Sequence, residues 1–152
     1  MERQEALGQQ YRYRHEKTPN QKKLGTLSNY LFNQRWRLDN DVVVDMHIGH
    51  HLQELEIDPS LFISFLEIAI KRVGDNEICG KRIDISFSKA GYFLFFTCAI
   101  TADPNVTLFD SENDPEIKIA KMQLDLLYSR KHALHIINHE RIYQVDLVLQ
   151  LN

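Results

Sequence analysis

The apolar residues in the first quarter of the chain predict two helices. Residues 2–17 are polar, rich in helix-forming residues and without proline, which favours a first helix. Thr18, Pro19 and Gln21 then form a capping box with proline at the first helical position. The helix that this box would open should end near Arg35. Its apolar stripe comprises Leu24, Leu27 and Leu31, with Tyr30 beside it.

Residues 42–57 predict two strands, and a central helix follows them. Apolar and polar residues alternate over 42–48, and 53–57 are expected to form a shorter strand. Asp58 and Pro59 are typical of an N-cap followed by the first helical position. The helix beyond them is apolar on nearly every side, which predicts that other elements cover most of its surface. Its apolar residues are Leu61, Phe62, Ile63, Phe65, Leu66, Ile68, Ala69, Ile70 and Val73.

The second half of the chain predicts two hairpins with a helix between them. A strand with one wet face (82–87) turns at Ala90-Gly91 into residues 92–101, which are apolar on both faces and so predict a central strand. Residues 102–116 hold five acidic and no basic side chains, and we expect a flexible lid or connection there. A third amphipathic helix and a final hairpin (133–138 and 142–151) follow. This order predicts an α/β fold, a two-layer sandwich in which a mixed sheet carries helices on one face.

The composition is that of an ordinary globular protein, but the charge is distributed unevenly along the chain. Its 152 residues suit a single domain, and its 43% hydrophobic and 26% charged residues are typical of globular proteins. The net charge of −3 gives no argument for nucleic-acid binding. Residues 1–37 hold eight basic and three acidic side chains, so this part is basic and the rest is acidic. The basic part is either a solvated helix face or a contact surface for an acidic partner.

The remaining chemistry of the chain is sparse. Cys79 and Cys98 form no CxxC motif, which favours a reducing, intracellular setting and a cytoplasmic location. No apolar run is as long as the roughly 18 residues of a membrane helix, and the first residues do not form a signal peptide. We expect no metal site, because three or four ligands must converge. Six of the seven histidines fall into two groups: His47, His50 and His51, and His132, His135 and His139.

Three stretches of the chain carry the motifs of one known family. Residues 27–37, LSNYLFNQRWR, are similar to a helix that ends in Asn-Tyr and is followed by an Arg. Residues 59–72 are similar to an N-box helix, in which a Pro and an apolar run precede Glu-Asn-Ala-Ile-Lys-His. Residues 120–151 are similar to a closing helix and hairpin. Together they resemble the C-terminal ATP-binding region of sensor histidine kinases, of the autolysis-regulator class, which has the GHKL ATPase fold.

The resemblance also implies a division of the chain. It covers about residues 20–152, which would form the ATPase-like domain. It is weaker over 5–19, and residues 1–19 would be the helical remnant of a dimerisation stalk. The same resemblance makes Glu67 the N-box acid, which in the family is the presumed base, and it makes the next position the Mg²⁺ ligand. That position is Ile68, which has no oxygen for a hard cation.

Two further motifs of the family are altered. An Asp-x-Gly-x-Gly turn should follow the strand that ends near Cys98, but the chain has no glycine there, and Asp103 is the nearest acid. A Gly-x-Gly-Leu motif falls on residues 114–117, where Asp114 and Glu116 replace the two glycines. Acidic side chains repel a polyphosphate, and Pro115 removes a backbone donor.

These departures predict a degenerate domain that does not bind Mg·ATP and that acts as a regulatory or protein-interaction module in two-component signalling. Its partner would be a kinase, a response regulator or a second copy, bound through the N-terminal helices, and not nucleic acid or a membrane. Two alternatives stay open, so the sequence leaves enzymatic activity undecided. An active kinase would bind ATP through Asp103 or the 102–116 loop and phosphorylate a histidine. A pocket for another small anion would use Lys71 or Arg72, which otherwise are expected on a solvated helix face.

Overall fold

A computed structural model of the protein describes residues 21–38, 42–73, 81–101, 115–139 and 142–152. The predicted helix over 2–17 and most of the acidic loop lie outside these residues. Short 3-10 turns occupy Leu24–Thr26, Arg35–Arg37 and His50–Leu52. The other elements are β1 (Lys22–Lys23), α1 (Leu27–Asn33), β2 (Val43–Ile48), β3 (Glu56–Ile57), α2 (Ser60–Val73), β4 (Arg82–Ala90), β5 (Phe93–Thr101), α3 (Pro115–Leu127), β6 (His132–His139) and β7 (Ile142–Gln150).

One layer of the protein is a five-stranded mixed sheet. Its strand order is β2-β4-β5-β7-β6, with β2 parallel to β4 and all other neighbours antiparallel. The apolar strand β5 lies in the middle, as its two apolar faces predict. The β4–β5 hairpin turns at Gly91, whose φ of 59° is in the left-handed region that glycine adopts without strain. The helices pack on one face of the sheet, and the predicted two-layer α/β sandwich is confirmed.

The core lies between the sheet and α2. Alternate residues of β4, β5 and β7 point toward the helix and are buried, as the period of two predicts. The ring of Phe62 lies 5.0 Å from that of Phe87 and 5.1 Å from that of Phe96, measured between centroids. The hydroxyl of the buried Tyr143 donates to the carbonyl of Phe65 at 2.8 Å. This packing fixes the position of α2 relative to β7.

Asp58 fixes the start of α2. Its Oδ1 accepts hydrogen bonds from the backbone N–H of Ser60 at 3.0 Å and from the Ser60 hydroxyl at 2.7 Å. The predicted N-cap is therefore confirmed.

The predicted start of the first described helix is wrong. Lys22 and Lys23 are extended and pair with β3, and the backbone N–H of Leu24 donates to the carbonyl of Leu55 at 2.7 Å. The 3-10 turn begins only at Leu24 and α1 at Leu27. Pairing with a distant strand outweighs the local capping preference, because it supplies partners to the backbone groups that a helix would have used.

Candidate functional site

Glu67, the acid of the N-box-like segment, lies on the side of α2 that faces α1. Its Oε2 accepts a hydrogen bond from the Tyr30 hydroxyl at 2.5 Å. Its Oε1 lies 2.6 Å from Nη1 of Arg37, and this nitrogen also donates to Gln34 Oε1 at 2.9 Å. We call Tyr30, Arg37 and Glu67 the Glu67 cluster. It joins two of the three stretches that carry the family motifs.

The Glu67 cluster shows what this carboxylate does within the fold. Both of its oxygens accept from side chains of the N-terminal segment, so the carboxylate ties α1 and the turn after it to α2. Burial, followed by the neighbouring carboxylate, raises the pKa of Tyr30 well above its ordinary value, which keeps its hydroxyl a donor. The sequence did not predict this cluster, because Glu67 contacts residues that lie 37 and 30 positions earlier in the chain. Contacts over such separations leave no local pattern in the sequence.

Ile68 occupies the position at which the resemblance places a Mg²⁺ ligand. Its side chain is fully buried and belongs to the main hydrophobic core. It therefore packs as its neighbours Ala69 and Ile70 do.

Lys71 and Arg72 were expected on a solvated helix face, and for Arg72 this is wrong. Arg72 is 1% exposed, its guanidinium carbon lies 5.9 Å from the centroid of the Tyr143 ring, and its Nη1 donates to the carbonyl of Ile142 at 3.3 Å. The aromatic face and the carbonyl of β7 supply contacts that make burial of this cation tolerable. Lys71 lies at the surface.

Lys71 and Glu116 form an ion pair between α2 and the first turn of α3. The distance from Lys71 Nζ to Glu116 Oε1 is 2.8 Å, and both side chains are partly exposed. The acidic loop was expected to continue to Glu116, but α3 begins at Pro115, since proline is preorganised for the first helical position. Asp103 and Asp114 lie outside the described residues, so the roles predicted for them stay predictions.

A groove of about 540 Å³ lies elsewhere, between α1 and the edge strand β2. None of Glu67, Lys71 and Arg72 lines it. Seven of its nine lining residues have apolar side chains; the lining consists of Ser28, Leu31, Phe32, Arg35, Leu38, Val42, Val43, Val44 and Met46.

The remaining predicted groups form no site in the part of the chain that the structure describes. There, no three His, Cys, Asp or Glu side chains are arranged to hold a metal ion. Burial raises the pKa of the Cys98 thiol, which opposes formation of a nucleophilic thiolate. None of the described helices is both long and apolar enough to span a membrane.

No protein-family model and no curated protein matches the sequence significantly. Solved structures do match the fold. Histidine kinase AdeS of Acinetobacter baumannii is 13% identical with a TM-score of 0.62, and the match covers 87% of this chain and 66% of AdeS. The histidine kinase domain of Erythrobacter litoralis EL346 is 12% identical with a TM-score of 0.61, over 90% of this chain and 70% of that domain.

The catalytic domain of histidine kinase ThkA gives a third comparison. It is 12% identical with a TM-score of 0.54, and the match covers 84% of this chain and 90% of the ThkA domain. The chain thus spans nearly all of this isolated domain but slightly less than two thirds of the AdeS chain. The fold of this protein is that of the histidine kinase catalytic domain, the GHKL ATPase-like fold.

Proposed function

We propose that this chain is a histidine kinase-like domain that does not bind Mg·ATP in the ordinary way and acts as a regulatory or protein-interaction module in two-component signalling. The observation that carries the proposal is the Glu67 cluster, in which both oxygens of the N-box acid are bound by α1 and the turn after it. The basic excess of residues 1–37 supports a protein partner with an acidic surface.

The donor set on α2 does not fit a magnesium ion. Mg²⁺ requires near-octahedral oxygen ligands, and the buried Ile68 offers none. Glu67 would have to leave the Tyr30 hydroxyl and the Arg37 guanidinium to coordinate the ion. Each lost metal or charge-assisted contact costs about 1.5–3 kcal/mol, so two such losses weaken nucleotide affinity by roughly two to four decades.

The start of α3 does not fit a polyphosphate either. A phosphate needs backbone N–H donors or cations, whereas Pro115 has no N–H and Glu116 is acidic. Lys71, a basic side chain on the N-box-like helix, lies 2.8 Å from the Glu116 carboxylate. An incoming phosphate would therefore compete with a carboxylate already in place.

Thermal unfolding with and without millimolar Mg·ATP tests the proposal. We expect no shift of Tm. A ligand at 100 times its Kd adds about 2.7 kcal/mol, which for a chain of this size is roughly 5 °C or more. A shift of that size that disappears when Mg²⁺ is chelated would overturn the proposal and favour an active kinase, whose nucleotide contacts would then come from Asp103 or the 102–116 loop.

Thermal unfolding with pyrophosphate and without Mg²⁺ tests the other alternative, a pocket that binds a different small anion. If the pocket binds a different anion through Lys71, pyrophosphate should raise Tm, and Lys71→Ala should remove the effect. Lys89→Ala, at an exposed position on β4, is the matched control for lost positive charge. Equal responses of the two variants would show nonspecific anion binding.

A further inference from the structure

The outer side of α3 carries a row of apolar side chains. Ile119 is 50% exposed, Met122 64% and Leu126 80%. Their spacing of three and four residues places them on one stripe of the helix, which we call the α3 ridge. Ala120 and Leu124, which pack into the core, lie on the opposite side of the same helix. α3 is therefore apolar both toward the core and away from it.

The α3 ridge has the character of an interaction surface. Single exposed apolar residues are ordinary, but a contiguous row on a protein surface marks a site of association. Packing of α3 against α2 does not require this row, because the inward stripe already makes that contact.

The charges beside the ridge indicate what covers it. Lys118 and Asp125 are seven residues apart, so they lie on the same flank of α3, one near each end. Both side chains are exposed. This arrangement complements itself only when a second copy of the helix runs in the opposite direction.

We propose that two copies of this chain associate through antiparallel α3 ridges related by a two-fold axis near Met122. In this pairing Ile119 of each copy lies opposite Leu126 of the other, and Lys118 of each lies close to Asp125 of the other. In a parallel pairing the two-fold axis would run along the helices and would place the Lys118–Asp125 flanks of the two copies on opposite sides of the interface, where these charges could not pair. Interhelical charge pairs of this kind set the direction of helix pairing, and two-fold interfaces require such self-complementary patches.

The size of the ridge indicates a weak association. A helix of 13 residues is about 20 Å long, and an interface of this kind falls below about 1,200 Å², in the class of transient contacts. The dimer requires no nucleotide, so this inference stands independently of the proposed function.

Analytical ultracentrifugation of the full chain from about 10 µM to about 500 µM covers the affinities expected for a contact of this size. We expect the mean mass to rise toward that of a dimer. Met122→Glu should keep the protein monomeric throughout, because it places two carboxylates near the two-fold axis. Phe93→Glu is the matched control, since Phe93 is a 46%-exposed apolar residue on the sheet, and it should leave the dimer unchanged.

A charge exchange tests the direction of pairing. Asp125→Lys should weaken the dimer at least tenfold, and the double variant Lys118→Asp/Asp125→Lys should restore it. Circular dichroism confirms that each variant is folded, and Leu126→Ser provides a second, uncharged disruption of the ridge. A monomer at every concentration would overturn the proposal and leave the ridge to another partner. A dimer that Met122→Glu and Leu126→Ser leave intact would also overturn it.

Discussion

The helices α2 and α3 differ in how the fold uses their apolar residues. Nine of the 14 residues of α2 are buried, whereas only Ala120 and Leu124 of the 13 residues of α3 are. α2 packs against both the sheet and α3, and the Glu67 cluster connects it to α1. α3 packs on α2 and leaves its opposite side exposed. The depth of a helix in the layers therefore decides whether its apolar residues stabilise the domain or stay available for a partner.

The comparison extends to the charged residues of the two helices. On α2, Glu67 and Arg72 are held by contacts with other elements of the same domain. On α3, Lys118 and Asp125 lie at the surface beside an apolar row, and the exposed Asp125 carboxylate has one distant neighbour, His132 Nε2 at 3.7 Å. On α2, Glu67 and Arg72 are therefore part of the packing of the domain, while on α3 the charges lie beside exposed apolar side chains.

The largest effect should come from shortening a core side chain of α2. Phe62 is fully buried, with two aromatic rings near 5 Å from its own. Phe62→Ala should lower the free energy of unfolding by about 3–5 kcal/mol, through lost burial and the cavity that remains. Leu126→Ala, on α3, should change it by less than about 0.5 kcal/mol. Urea unfolding at low micromolar protein concentration measures both, and similar losses in the two variants would contradict the comparison.

The next effect concerns the ion pair within the Glu67 cluster. The Arg37 and Glu67 side chains are 25% and 26% exposed, so water screens their interaction only in part. Arg37→Ala and Glu67→Ala should each destabilise the protein by about 1.5–3 kcal/mol, and the double-variant cycle should show a coupling above about 0.5 kcal/mol.

A surface pair provides the control for that cycle. Lys23 and Glu54 are separated by a similar distance, 2.8 Å, but their side chains are 57% and 75% exposed. Their coupling should be close to undetectable and should vanish in high salt. If instead Glu67→Ala left stability unchanged or raised it, Glu67 would be kept for a reaction or a ligand rather than for the fold, because functional residues often cost stability.

The sequence allowed the strands and the central helix to be predicted because their patterns are local. Ile83, Ile85 and Phe87 alternate with polar residues and are buried as expected, and Asp58 caps α2. The resemblance to histidine kinases, based on three short stretches, implied the fold that the solved structures share. The strands, the central helix and the family-like stretches can all be identified from residues that are close together in the sequence.

Long-range contacts account for what could not be predicted. Arg72 directly follows another basic residue, Lys71, in the sequence, which predicts an exposed position. Only the packing of Arg72 on Tyr143, 71 residues later in the chain, makes it a buried residue. The late start of α1 depends on pairing with β3. The sequence shows the apolar residues on both sides of α3, but an amphipathic helix needs only one apolar stripe to pack on a domain. The contact with α2 decides that the stripe of Ala120 and Leu124 faces the core.

The smallest expected effect concerns Tyr30 and pH. Its pKa in the folded protein is raised above the ordinary value of about 10, chiefly by burial and then by its bond to Glu67. Above about pH 10 the unfolded chain loses this proton while the folded protein keeps it, so the free energy of unfolding falls as pH rises. The contribution of Tyr30 is therefore fully present below about pH 10 and is lost above it.

Tyr30→Phe isolates this contribution. At pH 8 the variant should be less stable than the wild type by about 1 kcal/mol, since the bond that it loses is partly open to water. Near pH 11 the difference in stability should shrink. In the wild type the unfolded chain is stabilised by ionisation of Tyr30, which the folded protein resists, whereas the phenylalanine of the variant does not ionise in either state. Tyr92→Phe, at a 64%-exposed position, controls for the change in tyrosine number. A Tyr30→Phe difference that is equal at both pH values would mean that folding does not raise the pKa of Tyr30, so that its hydroxyl is neither buried nor bonded to Glu67, and α1 would then be attached to α2 through Arg37 alone among the members of the Glu67 cluster.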